Sequence, residues 1–157
     1  MPNTEHQQVI ERIRTSAEAV RRAVARLPAA QQAVPPREGE WSALEALIHL
    51  RNAVVMVHGL RIRRLFYETA PVFADYNEPT QRQASLERGE AVADLVETIV
   101  AEHQQLARLL ATLPDEKWGR EGRHPELGSM SIGFLARRVA EHAEEHAAQI
   151  AALAQRA

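Results

Sequence analysis

The chain contains no cysteine. Disulfides and thiolate metal ligands are therefore excluded, and the usage fits a reducing, cytoplasmic setting. Aromatic residues make up only 4% of the 157 positions. Charge of either sign is nearly balanced, with 19 basic and 21 acidic residues and a formal net charge of −2. That leaves no basic footprint for nucleic acid, and no nucleic-acid partner is expected. No apolar run approaches the roughly 20 residues of a membrane span. The opening stretch MPNTEHQQVIERIR is polar and lacks the apolar centre of a signal peptide. What the chain does contain is alanine, leucine, glutamine, glutamate and arginine, the good helix formers. Its length suits one domain, so a single unit over 1–157 is expected.

Apolar residues recur at helical spacing in four stretches. The first runs from about Thr4 to Leu27, with Val9, Ile13, Ala17, Val20, Val24 and Leu27 on one face; Pro28 ends it. The second starts at Ser42, where Ser42 and Glu45 form a capping-box pattern, and continues to Tyr67. Its middle, Ala53 to Val57, is apolar all round and is predicted to be deeply buried. The third runs from about Leu86 to Leu113 and the fourth from Ser131 to about Leu153. The segments after Thr69 and from Asp115 to Ser129 read as loops, and no strand-period segment competes with the helices. Four helices of this length predict an all-α four-helix bundle.

Seven histidines carry most of the chemical signal. His142 and His146 are four residues apart in HAEEH, on one helical face, where two imidazoles can reach one divalent ion. The plain alternative is a pair of solvated or hydrogen-bonded neighbours on an alanine-rich helix. The zinc-protease motif is absent, because Ala143 stands where HExxH needs glutamate. His49 lies on the second helix with Ala46, Leu50, Ala53, Val57 and Leu60, a face predicted to point inward. A lone histidine there is usually a core residue, but three inward-facing histidines on two helices each need a partner. One shared metal serves all three and leaves positions open, as in catalytic sites.

His58 follows His49 by nine residues, half a turn off at about 100° per residue, and is read as structural or exposed. His103 sits on the third helix's seam as a core residue, a fourth ligand or an acid/base; the core reading is preferred. His124 is placed at the mouth of a pocket and His6 in solvent. Glu141, Glu144 and Glu145 could orient the histidines from behind, although a solvated helix face is the preferred reading for at least two of them. Arg51, Arg137 and Arg138 could hold an anionic substrate, but surface arginines seldom do anything so specific.

The segments EWSALEALIHL, LPDEKWGREGRHPELGSMSIGFL and HAEEHAAQI, in that order over nearly the whole chain, resemble the DinB-like/YfiT superfamily of bacterial proteins. The resemblance implies a bundle connected up-down-down-up. It also implies a divalent metal, nickel or zinc, held by His49, His142 and His146. Many relatives carry aspartate at the position of Ala143 and arginine near that of His103. Relatives with known activity include transferases and isomerases that use small thiol cofactors; others are stress or DNA-damage-inducible proteins, and dimers are common. The expectation is a metal-dependent, thiol-using transferase or hydrolase acting on a small-molecule substrate. The alternative is a non-catalytic, stress-related protein that binds a small molecule or metal. A third possibility is a structural dimerisation module.

Overall fold

A computed structural model describes residues 2–156; Met1 and Ala157, the ends of the expected unit, lie outside the described residues. Helix α1 spans Thr4–Ala25. Asn3 caps it, its side-chain oxygen accepting from the His6 N–H at 2.9 Å. The apolar face picked out by spacing is the buried one: Val9, Ile13, Ala17, Val20 and Val24 are all in the core.

Helix α2 spans Ala43–Ala53 and begins with the expected capping box. Ser42 Oγ accepts from the Glu45 N–H, and Glu45 Oε1 accepts from the Ser42 N–H, both at 3.2 Å. Helix α3 spans Gly59–Tyr67. Between them, Val54–His58 form a π turn, closed by the Gly59 N–H donating to the Val54 carbonyl. Gly59 is what permits it, since a Cβ there would lie 2.1 Å from the Val54 oxygen. A π turn inserts about one extra residue, so everything beyond it is rotated by about 100° relative to a plain α-helix. Two expectations fail for this reason. Leu60, predicted to face inward with His49, is 47% exposed, and Met56 in the supposedly all-buried middle is 37% exposed.

The stretch after Thr69 also departs from the loop reading. It contains helix α4, Glu78–Arg88. Asn77 caps α4 by accepting from the Thr80 N–H, Pro79 sits in its first turn, and Gly89 ends it at φ 68°. Helix α5, Val92–Ala111, starts only after that break, so the expected third helix was begun one element too early. Beyond α5 the glycine-rich segment is a hairpin rather than a loop. Strand β1, Glu121–His124, pairs antiparallel with β2, Gly128–Ser131. The Pro71–Phe73 backbone joins β1 through Arg123 N–H to Pro71 O and Phe73 N–H to Arg123 O, both at 2.9 Å. Phe73 can bury itself there because Gly122 has no side chain; a Cβ would stand 2.4 Å from the Phe73 Cζ.

Helix α6, Ile132–Arg156, is the longest element, and Ser131 Oγ caps it by accepting from the Phe134 N–H at 3.0 Å. Two apolar clusters fill the interior. One gathers Ile13, Leu65, Phe73, Leu106, Trp118 and Val139; the other gathers Ala17, Leu47, Leu50, Ile99, Ala143 and Ile150. His142 falls between Val139 and Ala143, at the junction of the two. Each fully buried leucine or isoleucine contributes roughly 1.5–3 kcal/mol, so the clusters fix the backbone around that junction. Among the described residues no helix is long and apolar enough to cross a membrane.

Candidate metal centre

Helices α2 and α6 bring His49, His142 and His146 together. His142 Nε2 lies 2.9 Å from His49 Nε2 and 3.0 Å from His146 Nε2, and one ring nitrogen from each residue falls within 4.8 Å of the others. Two imidazoles bound to one ion at about 2.0–2.1 Å hold their nitrogens about 3.0–3.4 Å apart. The two short separations are of that order. The three rings meet edge to face, with centroids 4.6 to 5.1 Å apart.

What lies behind the rings decides what the three nitrogens carry. His49 Nδ1 is 3.2 Å from Glu78 Oε1, within ion-pair range although off the line of a well-aligned hydrogen bond. His146 Nδ1 is 2.6 Å from Gln149 Oε1. A carboxylate and an amide oxygen can only accept, so these Nδ1 atoms carry the hydrogens. The Nε2 lone pairs of His49 and His146 then point at His142 Nε2. A neutral His142 can satisfy one of them at most. Partly buried lone pairs converging in this way are unfavourable unless a cation sits among them. The donor set therefore fits a divalent metal, and imidazoles oriented by oxygen acceptors are the usual way of presenting one. Glu78 is itself held by the Arg82 Nε–H at 2.8 Å. The Arg82 guanidinium lies over the Trp41 ring at 4.6 Å, and Trp41 packs against His49 with centroids 5.0 Å apart.

Burial keeps all three rings neutral. Desolvation lowers the pKa of His49 and of His146. His142 is pushed down to about 2, first by burial and then by the charges its two neighbours would carry. Neutral imidazole is the form that binds metal.

A family model for the DinB superfamily matches residues 12–150. The chain belongs to that superfamily. Among DinB-like relatives, a protein of Oceanobacillus iheyensis named "Putative metal-dependent hydrolase" is 28% identical over 120 residues, covering 76% of this chain and 69% of its own. YfiT from Bacillus subtilis, described as "a probable metal-dependent hydrolase with an unusual four-helix bundle topology", superposes with a TM-score of 0.86 at 20% identity, over 99% of this chain and 90% of that one. At that identity the match speaks for the four-helix-bundle fold.

In this DinB chain Glu141, Glu144 and Glu145 lie on a solvated face, the reading preferred for at least two of them, and do not back the histidines. Glu144 pairs with Arg12, and Glu145 and Glu141 with Arg138; none touches a ring of the cluster. Nothing in the sequence singles out Glu78, because α4 buries little and has no strong apolar stripe. Gln149 could have been found, since it lies three residues after His146 on the same face. Ala143, between the two α6 histidines, is buried in the core.

The remaining histidines divide. His103 is a core residue, fully buried, with Nδ1 donating to the Ile99 carbonyl at 2.7 Å. His6 is not solvated as expected; it stacks on Trp118 at 3.9 Å and pairs with Asp115 at 2.6 Å. His58 is outside the cluster but not half a turn away from it. The π turn swings its ring to 5.8 Å from that of His142, and burial lowers its pKa to about 4. His58 also forms one wall of a cavity of about 310 Å³, which His124, Arg61 and Arg138 line as well. His124 does stand at a pocket, as its position before Pro125 suggested.

Proposed function

We propose that the chain is a metal-dependent enzyme in which His49, His142 and His146 bind one divalent ion, zinc or nickel, and that its substrate is a small molecule seated in the adjoining cavity. The observation that carries this is the orientation of the imidazoles, with oxygen acceptors behind and nitrogens converging in front. A divalent ion there supplies Lewis acidity and lowers the pKa of a water or thiol sharing its coordination sphere. The chain's own residues do the rest. Glu78 and Gln149 hold two rings in the ligating tautomer. Trp41 and Arg82 cover the His49 side. His58 stands between cluster and cavity, where a neutral ring can position a bound group without repelling the ion.

The naming of DinB relatives as metal-dependent hydrolases favours water as the nucleophile. Transfer of a small thiol is the second reading, which the family's thiol-using members support. The same reading takes the helices as one domain connected up-down-down-up. Glu5–Arg137 and Arg12–Glu144 support α1 and α6 running together, and Arg21–Glu97 with His6–Asp115 support α1 and α5 running oppositely.

Zinc and nickel titration of metal-free protein tests the site: one ion per chain and a raised Tm are expected. Loaded protein is then offered p-nitrophenyl esters, and separately glutathione, bacillithiol or mycothiol with monochlorobimane. Ester turnover supports the hydrolase, and bimane conjugation supports the transferase. Ion binding without either turnover supports a binding protein instead, and failure to bind an ion overturns the proposal.

A further inference from the structure

The cavity beside the imidazole cluster is lined by a buried cation that, among the described residues, no carboxylate contacts directly. Arg61 is only 8% exposed. Its guanidinium donates to the Ala74 carbonyl at 3.1 Å and to the Met130 sulfur at 3.6 Å, and among the described residues no carboxylate forms an ion pair with it. The guanidinium is steadied over the Phe73 ring, 5.4 Å from its centroid. A buried arginine normally has a carboxylate or phosphate partner, because two neutral acceptors do not offset the loss of hydration. Burial accordingly disfavours its charge, and the Asp75 carboxylate offsets this only in part.

The π turn is the reason Arg61 is there. Arg61 follows His49 by twelve residues, which an unbroken α-helix would place about 120° away. With the extra residue of the π turn the offset falls to about 20°, and Arg61 comes onto the side that carries the imidazole cluster.

A second donor faces the same cavity. His124 is 3% exposed, and its Nδ1 accepts from the backbone N–H groups of Glu126 at 3.1 Å and Leu127 at 3.0 Å. Nδ1 therefore carries the lone pair, and Nε2 carries the hydrogen. That Nε2 lies 2.8 Å from Asp75 Oδ1, in ion-pair range without the alignment of a hydrogen bond, and the Asp75 side chain is 78% exposed. Two buried donor groups thus face a single carboxylate that stands mostly in water, on a connecting segment. Such a carboxylate is easily displaced. Phe134, Leu127 and Met130 add apolar lining to the same cavity.

We propose that this cavity binds a small organic oxyanion, its charged group held by the Arg61 guanidinium and the His124 Nε2–H in the place Asp75 now fills, and its apolar body packed against Phe134 and Leu127. As the anchoring group of a substrate this rests on the metal-enzyme reading; the binding of the anion does not.

The test is calorimetric titration of metal-free protein, kept in EDTA, with phenylacetate, phenyl phosphate and the neutral phenylacetamide. At least one of the two anions is expected to bind about tenfold or more tighter than the amide, as a charge-assisted hydrogen bond should give. Which anion wins separates a carboxylate from a phosphate ligand. Asp75→Asn, a change at an exposed side chain, should tighten anion binding by removing the competitor, and Arg61→Gln should abolish the preference for the anions over the amide. Equal affinity for anions and amide, no binding of any probe, or an Asp75→Asn affinity unchanged or weaker would overturn the proposal. If Arg61→Gln does not fold, the anion–amide ratio and Asp75→Asn decide the matter. Anion binding that survives a failed zinc titration leaves this proposal standing and removes only the metal-enzyme reading; zinc binding without anion preference does the reverse.

Discussion

His103 and His142 are both buried histidines, and they solve the problem of burial differently. His103 bonds its Nδ1 to a carbonyl one turn back on its own helix, and its buried Nε2 faces no hydrogen-bond partner among the described residues. His142 turns its Nε2 toward two other imidazoles, each backed by an oxygen acceptor on its far side. Burial lowers the pKa of both. Burial and pKa therefore do not distinguish a core histidine from a ligand. Convergence does, together with what stands behind each ring.

Replacing the two residues in parallel is the strongest way to break that contrast. His142→Ala should lower zinc affinity by more than ~100-fold, since changes merely behind the ligands already cost 10–100-fold. His103→Leu should leave zinc affinity unchanged and alter stability by less than about 1.5 kcal/mol, as a swap of similar volume in an apolar site. Zinc calorimetry and urea melts of both variants check this; equal zinc affinities would erase the distinction.

Glu78→Gln sharpens the same point. It keeps the size of the side chain and removes the charge behind His49, so zinc binding should weaken by about 10–100-fold while the metal-free Tm hardly moves. Gly59→Ala acts on the backbone. The added methyl collides with the Val54 carbonyl, so the π turn must distort at a cost of about 1–3 kcal/mol. Zinc affinity should persist, because His49 precedes the turn, whereas anion binding at Arg61, which follows it, should fall.

The comparison is sharpened further by pH acting on metal-free protein. The unfolded chain takes up protons near the ordinary histidine pKa of about 6.5. The folded chain refuses them until far lower, with His58 held at about 4 and His142 at about 2. The folded pKa values are depressed, so the unfolded state binds more protons as pH falls below about 6.5, and stability should decline from there toward pH 4. Urea midpoints in EDTA at pH 7.5 and 4.5 measure it; a midpoint that rises on acidification would contradict the burial of these rings.

Much of this was legible in the sequence, and the gaps have physical causes. Helical periodicity found the apolar faces of α1 and α6, and Ser42 with Glu45 located the start of α2, because capping and amphipathicity are local properties. The HxxxH spacing and the inward face of α2 brought His49, His142 and His146 into one hypothesis. Asn77, Pro79 and Gly89 did mark the two ends of α4, but its few buried residues leave it without a strong apolar stripe, and so Glu78 was missed. The hairpin strands are four residues each, too short for a period to register. The π turn leaves no pattern beyond one glycine, and it alone reassigns Leu60 and His58 and brings Arg61 to the cavity.

The central claim is that three imidazoles share one ion. X-ray absorption at the zinc edge of protein loaded with one equivalent of zinc tests it most directly. The account predicts about three imidazole nitrogens at about 2.0–2.1 Å, falling to two in His49→Ala. A spectrum without imidazole scattering, or one that His49→Ala leaves unchanged, would contradict it.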